Sequence, residues 1–339
     1  MKMKHFILFA VCLMVVCRPA ISTAQAAVNI IFDTDMGNDV DDALALAMLH
    51  AFQTRHEVNL LAVTITKDNK WAAPYVDLVN TFYGHPEIPI GTVRKGKTPE
   101  SNPMIQAPSE RKRPEGSFVY PHRILDGAEA PDAVSLLRDI LAAQPDGSVV
   151  IVQVGFSTNL ARLLDIKSDA ASPLDGRELV RRKVRLLSVM GGNFSDGKPE
   201  FNLAQDVPSA AKLFHEWPTP IVVSGFEIGN AMLFPASRIE HDFGYVQDHP
   251  VADAYRSYMK MPYDRPTWDL TAVLFAVRPD DGYFSLSPPG TITVLPDGSS
   301  HFDPSAGGNH RYLVLSGEQR IKTLEAMIVL ASQPPARQH

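Results

Sequence analysis

An α/β fold is predicted for this chain, as one large domain built on a mostly parallel, doubly wound sheet with helices on both faces. Three observations predict it. Short apolar, β-branched runs alternate with helical stretches from Val28 onward. The polar residues with chemical potential follow directly on the ends of those runs, where ligands bind in open α/β sheets. No repeat or low-complexity segment interrupts the alternation. The 339 residues, 45% of them hydrophobic, can bury a large core.

The elements follow in order. Ile30–Asp33 reads as a buried strand, because Ile30, Ile31 and Phe32 leave no polar face. Asp42–Phe52 reads as a helix with an apolar face, Asn59–Thr66 as a second strand and Trp71–Tyr83 as a second helix. Glu87–Gly91 is expected as a short third strand, followed by Ser148–Val154, Val184–Met190 and Ile221–Ser224. Helices are expected around Asp132–Ala143, Ser157–Leu164 and Pro208–Glu216. The stretch ITVLPDGSSHF signals a C-terminal hairpin turning at Pro296-Asp297-Gly298. A strand at Tyr312–Leu315 and a helix at Gly317–Ala331 close the chain. Arg94–Arg123 breaks the pattern with proline and charge, Arg111-Lys112-Arg113 at its centre. It is expected as a solvated excursion, with a lid or subunit contact as the functional alternative.

The N-terminus has the pattern of a secretory signal. Lys2, Lys4 and His5 precede the apolar run Phe6–Cys17, and Ala24-Gln25-Ala26 supplies an A-x-A cleavage site. The run falls short of the about 20 residues that cross a bilayer. Residues 1–26 are thus expected as a signal peptide and 27–339 as the mature domain, exported to the periplasm or secreted, with no membrane attachment after cleavage. Both cysteines, Cys12 and Cys17, fall in the signal. That removes disulfides, thiolate catalysis and cysteine-ligated metal from the mature chain. A net charge of -6 leaves no electrostatic footprint for nucleic acid.

The chemistry concentrates in IIFDTDMGNDVDDALALAML, where Asp33, Asp35, Asp39, Asp41 and Asp42 crowd one strand end. Helix capping accounts for Asp41 or Asp42. It does not account for Asp33 and Asp35, which follow a buried strand and need compensation for their charge. A divalent cation supplies it, and oxygen-only ligands favour calcium or magnesium. An EF-hand loop is excluded, because its glycine and glutamate positions hold Asn38 and Leu44. Asp33-Thr34-Asp35 also fits a haloacid-dehalogenase-like phosphatase with Asp33 as nucleophile, although Gly37 stands where that family has Thr or Val.

The same stretch resembles the N-terminal signature of the inosine–uridine-preferring nucleoside hydrolases. LLAVTITKDN, VVIVQVGFSTNLARLL, VMGGNFSDGKPEFN and RPTWDLTAVLFAV continue the resemblance in order, from about Asn29 to Val277. The resemblance implies a calcium-dependent hydrolysis of the N-glycosidic bond of ribonucleosides, giving ribose and free base. It places Asp35, Asp42, the Val154 carbonyl and Asp269 around Ca2+, with Asp35 also accepting the proton of the attacking water and Asp33 behind them. Asp41, Asn69, Glu200 and Asn202 are implied to hold the ribose hydroxyls, and Asn193 the 5′ side. Homo-oligomers, dimers or tetramers, are implied as well.

Two departures from the family pattern stand out. The spacing from Asp35 to Asp41-Asp42 is longer by two than D-x-x-x-D-D, so Asp39 competes with Asp41 for the ribose. Trp268 also replaces the histidine that many members place before the last ligating aspartate to protonate the leaving base. Trp268 or Trp71 could stack on a purine, and Trp268 could equally be core. His215, His241 and His249 are expected at the surface, with one of them or His122 as a substitute acid. Glu227 and Asn230 either line the crevice or cap a helix. A phosphatase reading requires an essential Lys67 or Lys198. A non-catalytic riboside-binding protein is the third reading.

Overall fold

The computed structural model describes residues 26–336, so the expected signal peptide, with both cysteines, lies outside the described residues except for Ala26. The strands are β1 (Val28–Thr34), β2 (Val58–Lys67), β3 (Ile90–Lys97), β4 (Val149–Gln153), β5 (Val184–Met190) and β6 (Ile221–Ser224). They continue as β7 (Leu233–Phe234), β8 (Arg265–Pro266), β9 (Ser285–Leu286), β10 (Gly290–Val294), β11 (Ser300–Pro304) and β12 (His310–Val314). Ten of them form one sheet in the order β11-β10-β12-β6-β5-β4-β1-β2-β3, with β9 beside β12. Every neighbour from β12 to β3 is parallel, while β9 and β10 pair antiparallel with β12 and β11 pairs antiparallel with β10. β7 and β8 make a separate two-stranded ribbon.

Successive residues of the central strands feed opposite faces of the sheet. Ile30, Phe32, Val150 and Val152 join one core, under the helices Asp41–Thr54, Trp268–Val277 and Gly317–Ala331. Ile31, Val149 and Ile151 join the other, under Ala133–Ala143, Thr158–Asp165 and Val207–Glu216. Buried on both faces, these strands carry no polar alternation. The helix Asp41–Thr54 is buried from Asp41 to Phe52 without a break, so it is apolar on all sides rather than on one stripe.

The order reverses at β1: β2 and β3 lie to one side of it, β4 and β5 to the other. In doubly wound sheets this reversal opens a crevice at the carboxyl ends of the strands. The strand order is a product of the tertiary structure, and it sets the Asp35–Asp42 loop next to Val154.

One expectation is corrected and another refined. The third strand is Ile90–Lys97, because Pro89 has no N–H to give a ladder and the pairing starts just after it. The Arg94–Arg123 segment is solvated over most of its length, as expected, but it is anchored to the core rather than irregular. It contains the helix Pro103–Glu110 with Met104 and Ile105 fully buried, and Tyr120 is buried beyond it. Arg111 pairs with Asp253 and, at 3.0 Å, with Asp248, while buried Asp77 accepts the Arg123 and Ile124 amides at 2.6 and 2.9 Å. Among the described residues no helix is long and apolar enough to cross a membrane.

Two glycines shape the crevice. Gly37 turns at φ +108 beneath Ile105, whose Cδ1 lies 2.5 Å from where a Cβ would stand. Gly155 follows β4 so closely that a Cβ would meet Thr66 Oγ1 at 2.4 Å and the Asp35 amide nitrogen at 2.5 Å. Since the second obstacle is backbone, Gly155→Ala is expected to cost about 2–3 kcal/mol of stability by overpacking. A urea melt compared with the native chain measures it, and an unchanged midpoint would show that the β1–β4 junction can yield.

Candidate active site

The loop after β1 is built from its own side chains. Thr34 Oγ1 donates to Asp42 and accepts the Met36 amide at 3.1 Å. Asn38 donates to Asp35 at 2.7 Å and receives Lys67 Nζ at 2.7 Å. The loop then enters the helix Asp41–Thr54, whose first turn contains Asp41 and Asp42. A second helix, Trp268–Val277, starts at the same place with Asp269 in its first turn, and the Asp269 amide donates to Asp41 at 3.0 Å. Two helix N-termini therefore face one point, where their dipoles favour negative charge.

Oxygens of Asp41, Asp42 and Asp269 lie within 4.8 Å of one another, all three residues buried. Burial first, and the neighbouring carboxylates next, hold all three well above the ordinary aspartate pKa. Burial likewise pushes Asp35 up to about 6, against the lowering hydrogen bond from Asn38. Asp33 is pushed to about 7 by burial while Thr64 and Asn159 donate to it at 2.6 and 2.9 Å. Helix dipoles alone do not balance this many buried carboxylates. An all-oxygen donor set of this charge fits a hard divalent cation.

These aspartates line a cavity of about 320 Å³ whose more exposed lining is aromatic, with Phe201 and Phe226 exposed and Tyr258 and Trp268 half-buried. Asp35, Asp39, Asp41, Asp42, Val154, Glu200, Asn202, Trp268 and Asp269, all singled out in the sequence, meet here. Glu200 caps the helix Phe201–Gln205, accepting the amides of Asn202, Leu203 and Gly192, while burial pushes it to about 7. Asn202 donates to the Val154 carbonyl at 2.8 Å. Trp268 Nε1 donates to the Phe226 carbonyl at 3.0 Å, and its ring stacks on Phe226 at 5.5 Å, so it lines the cavity while also packing against the core.

Asn69 and Asn193 do not line the cavity. Asn69 donates to the Pro99 carbonyl at 2.8 Å and accepts the Trp71 amide at 2.9 Å. Asn193 is taken up by its own turn with Ser195 and Asp196. Trp71 also lies outside the lining, and Glu227 instead accepts the Phe194 amide at 3.2 Å. Asp33 is fully buried behind the cavity and cannot reach a substrate, and Lys198 is an exposed partner of Asp196. The phosphatase reading is therefore not favoured.

Among the described residues no histidine lines the cavity. His215 and His241 are exposed as expected. His249 is not: it caps the helix Pro250–Tyr258 among Phe82, Phe243 and Tyr245, where burial pushes its pKa down to about 3. Sequence reading missed Tyr258, Phe201, Phe226 and Arg265 as lining residues. Arg265 opens the RPTWDLTAVLFAV run, and a cation ahead of so apolar a helix was the available signal.

The raised carboxylates set the pH response of the metal-free chain. Asp33 and Glu200 bind protons in the folded state up to about 7 and in the unfolded chain only up to 3.8 and 4.5. Their stabilising contribution is present below the unfolded values and is lost as pH rises through about 7. A chelated sample should therefore melt lower at pH 8 than at pH 5. A divalent cation that binds the cluster, with calcium as the first to try, should raise the melting temperature more at pH 8, since binding to the folded state alone stabilises it. Equal calcium shifts at both pH values, or none, would contradict this account.

Comparison with known proteins agrees with this geometry. A family model described as inosine–uridine preferring nucleoside hydrolase matches residues 30–321. The chain is 27% identical over 277 residues to a non-specific ribonucleoside hydrolase, RihC, of Klebsiella pneumoniae subsp. pneumoniae, covering 76% of this chain and 81% of that protein. Among solved structures it is similar to an inosine–guanosine nucleoside hydrolase, with TM-score 0.67, 18% identity and coverage of 92% and 99%. It is also similar to an inosine–uridine preferring nucleoside hydrolase from Bacillus anthracis, with TM-score 0.65, 16% identity and coverage of 89% and 99%. A plant nucleoside hydrolase, PpNRh1, superposes with TM-score 0.66 at 20% identity, covering 91% of this chain and 99% of that one. A family match over most of the chain, on a fold and a carboxylate-lined cavity of this kind, makes the protein a member of the inosine–uridine preferring nucleoside hydrolase family.

Proposed function

We propose that this chain is an exported, calcium-dependent ribonucleoside hydrolase that releases ribose and free base for salvage. The observation that carries the reading is the cavity itself, with a buried aspartate cluster and a more exposed aromatic lining. A cation recognises the sugar end and stacking recognises the base end, which is the division a nucleoside requires.

Asp42 and Asp269, which cluster with Asp41, would hold the calcium ion together with Asp35 and the Val154 carbonyl from the same cavity wall. An ion bound by these residues would supply positive charge to orient the attacking water and lower its pKa. Asp35 accepts the proton of that water. Burial raises the Asp35 pKa in the metal-free site, and a bound cation would oppose that rise and favour the carboxylate form that accepts a proton. Asp41, Glu200 and Asn202 face the ribose. Their negative and dipolar groups oppose the positive charge that develops on the sugar as the glycosidic bond opens. Asp39, taken up by Arg265, is drawn away from this role, which leaves it to Asp41. Trp268 and Phe226 hold the base by stacking.

Reducing-sugar release from a panel of purine and pyrimidine nucleosides, with calcium and with chelator, tests the reading. Ribose release that the chelator abolishes is expected. Asp35→Asn should lower kcat by about 10²–10⁴-fold, the range for a lost general base, while the protein stays folded. No ribose from any nucleoside would sink the proposal. Mass spectrometry of the protein recovered from the producing cell tests export, with Ala27 expected as the first residue and an intact Met1 overturning it.

A further inference from the structure

The proposed function accounts for the carboxylates of the cavity and leaves its cation without a task. Six carboxylates line the space against a single positive side chain, Arg265. Its Nε donates to Asp39 Oδ1 at 2.8 Å, and its Nη2 donates to Asp39 Oδ2 and, at 3.2 Å, to the Tyr258 hydroxyl. Its Nη1 makes no hydrogen bond among the described residues. The guanidinium carbon lies 5.3 Å from the ring centres of both Tyr258 and Trp268. Burial pulls the arginine pKa down, but the hydrogen bond and charge of Asp39 more than offset it, so the group is a permanent cation. Asp39 itself comes from the lengthened loop between Asp35 and Asp41, so the extra residues and the arginine form one device. The device sits beside the Tyr258 and Trp268 rings, and its charges are also felt at Asp41 of the aspartate cluster.

We propose that Arg265 is the leaving-group contact of this enzyme, its Nη1 donating a hydrogen bond to a base that departs as an anion. The inference rests on the nucleoside hydrolase reading and deepens it. The bond between the ribose carbon and the base nitrogen breaks, and its electron pair goes to the base. In uracil or hypoxanthine that charge spreads onto a ring carbonyl oxygen, an acceptor for the guanidinium. The water oxygen bonds to the ribose carbon, its proton passes to Asp35, and the base anion takes a proton from solvent on release. An arginine does not give up its own proton. It therefore acts by charge and hydrogen bonding rather than as the acid that a histidine would be. A base that leaves best when already protonated, such as adenine or cytosine, would carry positive charge beside the guanidinium and gain nothing from it. Asp39 is a positioning residue: it clamps two of the three guanidinium nitrogens and leaves the third for the ligand.

The test compares two ribosides that differ only in how much help the leaving group needs. Uridine needs it, and p-nitrophenyl β-riboside, whose phenolate is stable, does not. The native enzyme, Arg265→Met, Arg265→Lys and Asp39→Asn are assayed with calcium on both, and calcium-dependent melting confirms that each is folded. Arg265→Met should lower kcat/KM for uridine by about 100-fold, the loss expected for one preorganised donor, and for the p-nitrophenyl riboside by less than about threefold. Arg265→Lys should recover part of the uridine activity, and Asp39→Asn should lose about tenfold on uridine alone. If Arg265→Met melts below the assay temperature, the other two variants decide. Equal losses on both substrates, or no loss on uridine, would overturn the role of Arg265. A native enzyme that hydrolyses neither riboside would overturn the functional reading and this inference together.

Discussion

The crowding of buried carboxylates where two helices begin is the constraint from which the rest of this structure follows. Asp41, Asp42 and Asp269 bring their oxygens within 4.8 Å of one another in a setting that water scarcely reaches. Like charges so placed repel, and burial adds a desolvation cost for each. Helix dipoles and the Thr34 and Asp269 donors offset part of this. Protonation or a cation must offset the remainder. Such a site is unfavourable by itself, and the surrounding fold has to hold it in place.

The fold does so with rigid parts. The parallel sheet is buried on both faces, so the ends of β1, β4 and β5 cannot drift apart without disturbing two cores. Gly155 lets β4 approach the backbone at Asp35, and Gly37 lets the aspartate loop turn under Ile105. The helices that present the aspartates are themselves apolar on nearly every side, which is why the helix Asp41–Thr54 has no solvated stripe. Even the charged segment Arg94–Arg123 contributes to this rigidity, tied through Arg111 to Asp248 and Asp253 and through Asp77 to its own backbone.

The two ends of the cavity differ in how they relate to the family. The aspartate end carries Asp35, Asp41, Asp42 and Asp269, the residues to which the resemblance in the sequence pointed. The aromatic end carries Trp268 and an Asp39–Arg265 pair, which that resemblance did not supply. A proton donor and a fixed cation both stabilise a departing base, but they favour bases of different acidity. Under the proposed roles, the range of bases is set at the aromatic side of the cavity, and the aspartate side is left unchanged.

The sequence by itself determined the class of fold and the position of most central elements. β5, β6 and the C-terminal helix Gly317–Ala331 stand where their apolar runs and caps place them, because such runs are decided locally. It also determined that the aspartates after β1 needed compensation, since contiguous Ile30, Ile31 and Phe32 leave no solvent for them. Only the tertiary structure decided which distant residues share the site. The β1–β4 neighbourhood, the return of Asp269 to Asp41 and the pairing of Arg265 with Asp39 join positions far apart in the chain, and no local pattern encodes such distances. The same holds for what the structure withheld. His249 lies in a polar stretch of sequence and is buried under aromatic rings, and Asn69 follows a strand end and is taken up by Pro99 and Trp71. Burial and hydrogen-bond partners belong to the folded neighbourhood, and a residue's flanking sequence records little of either.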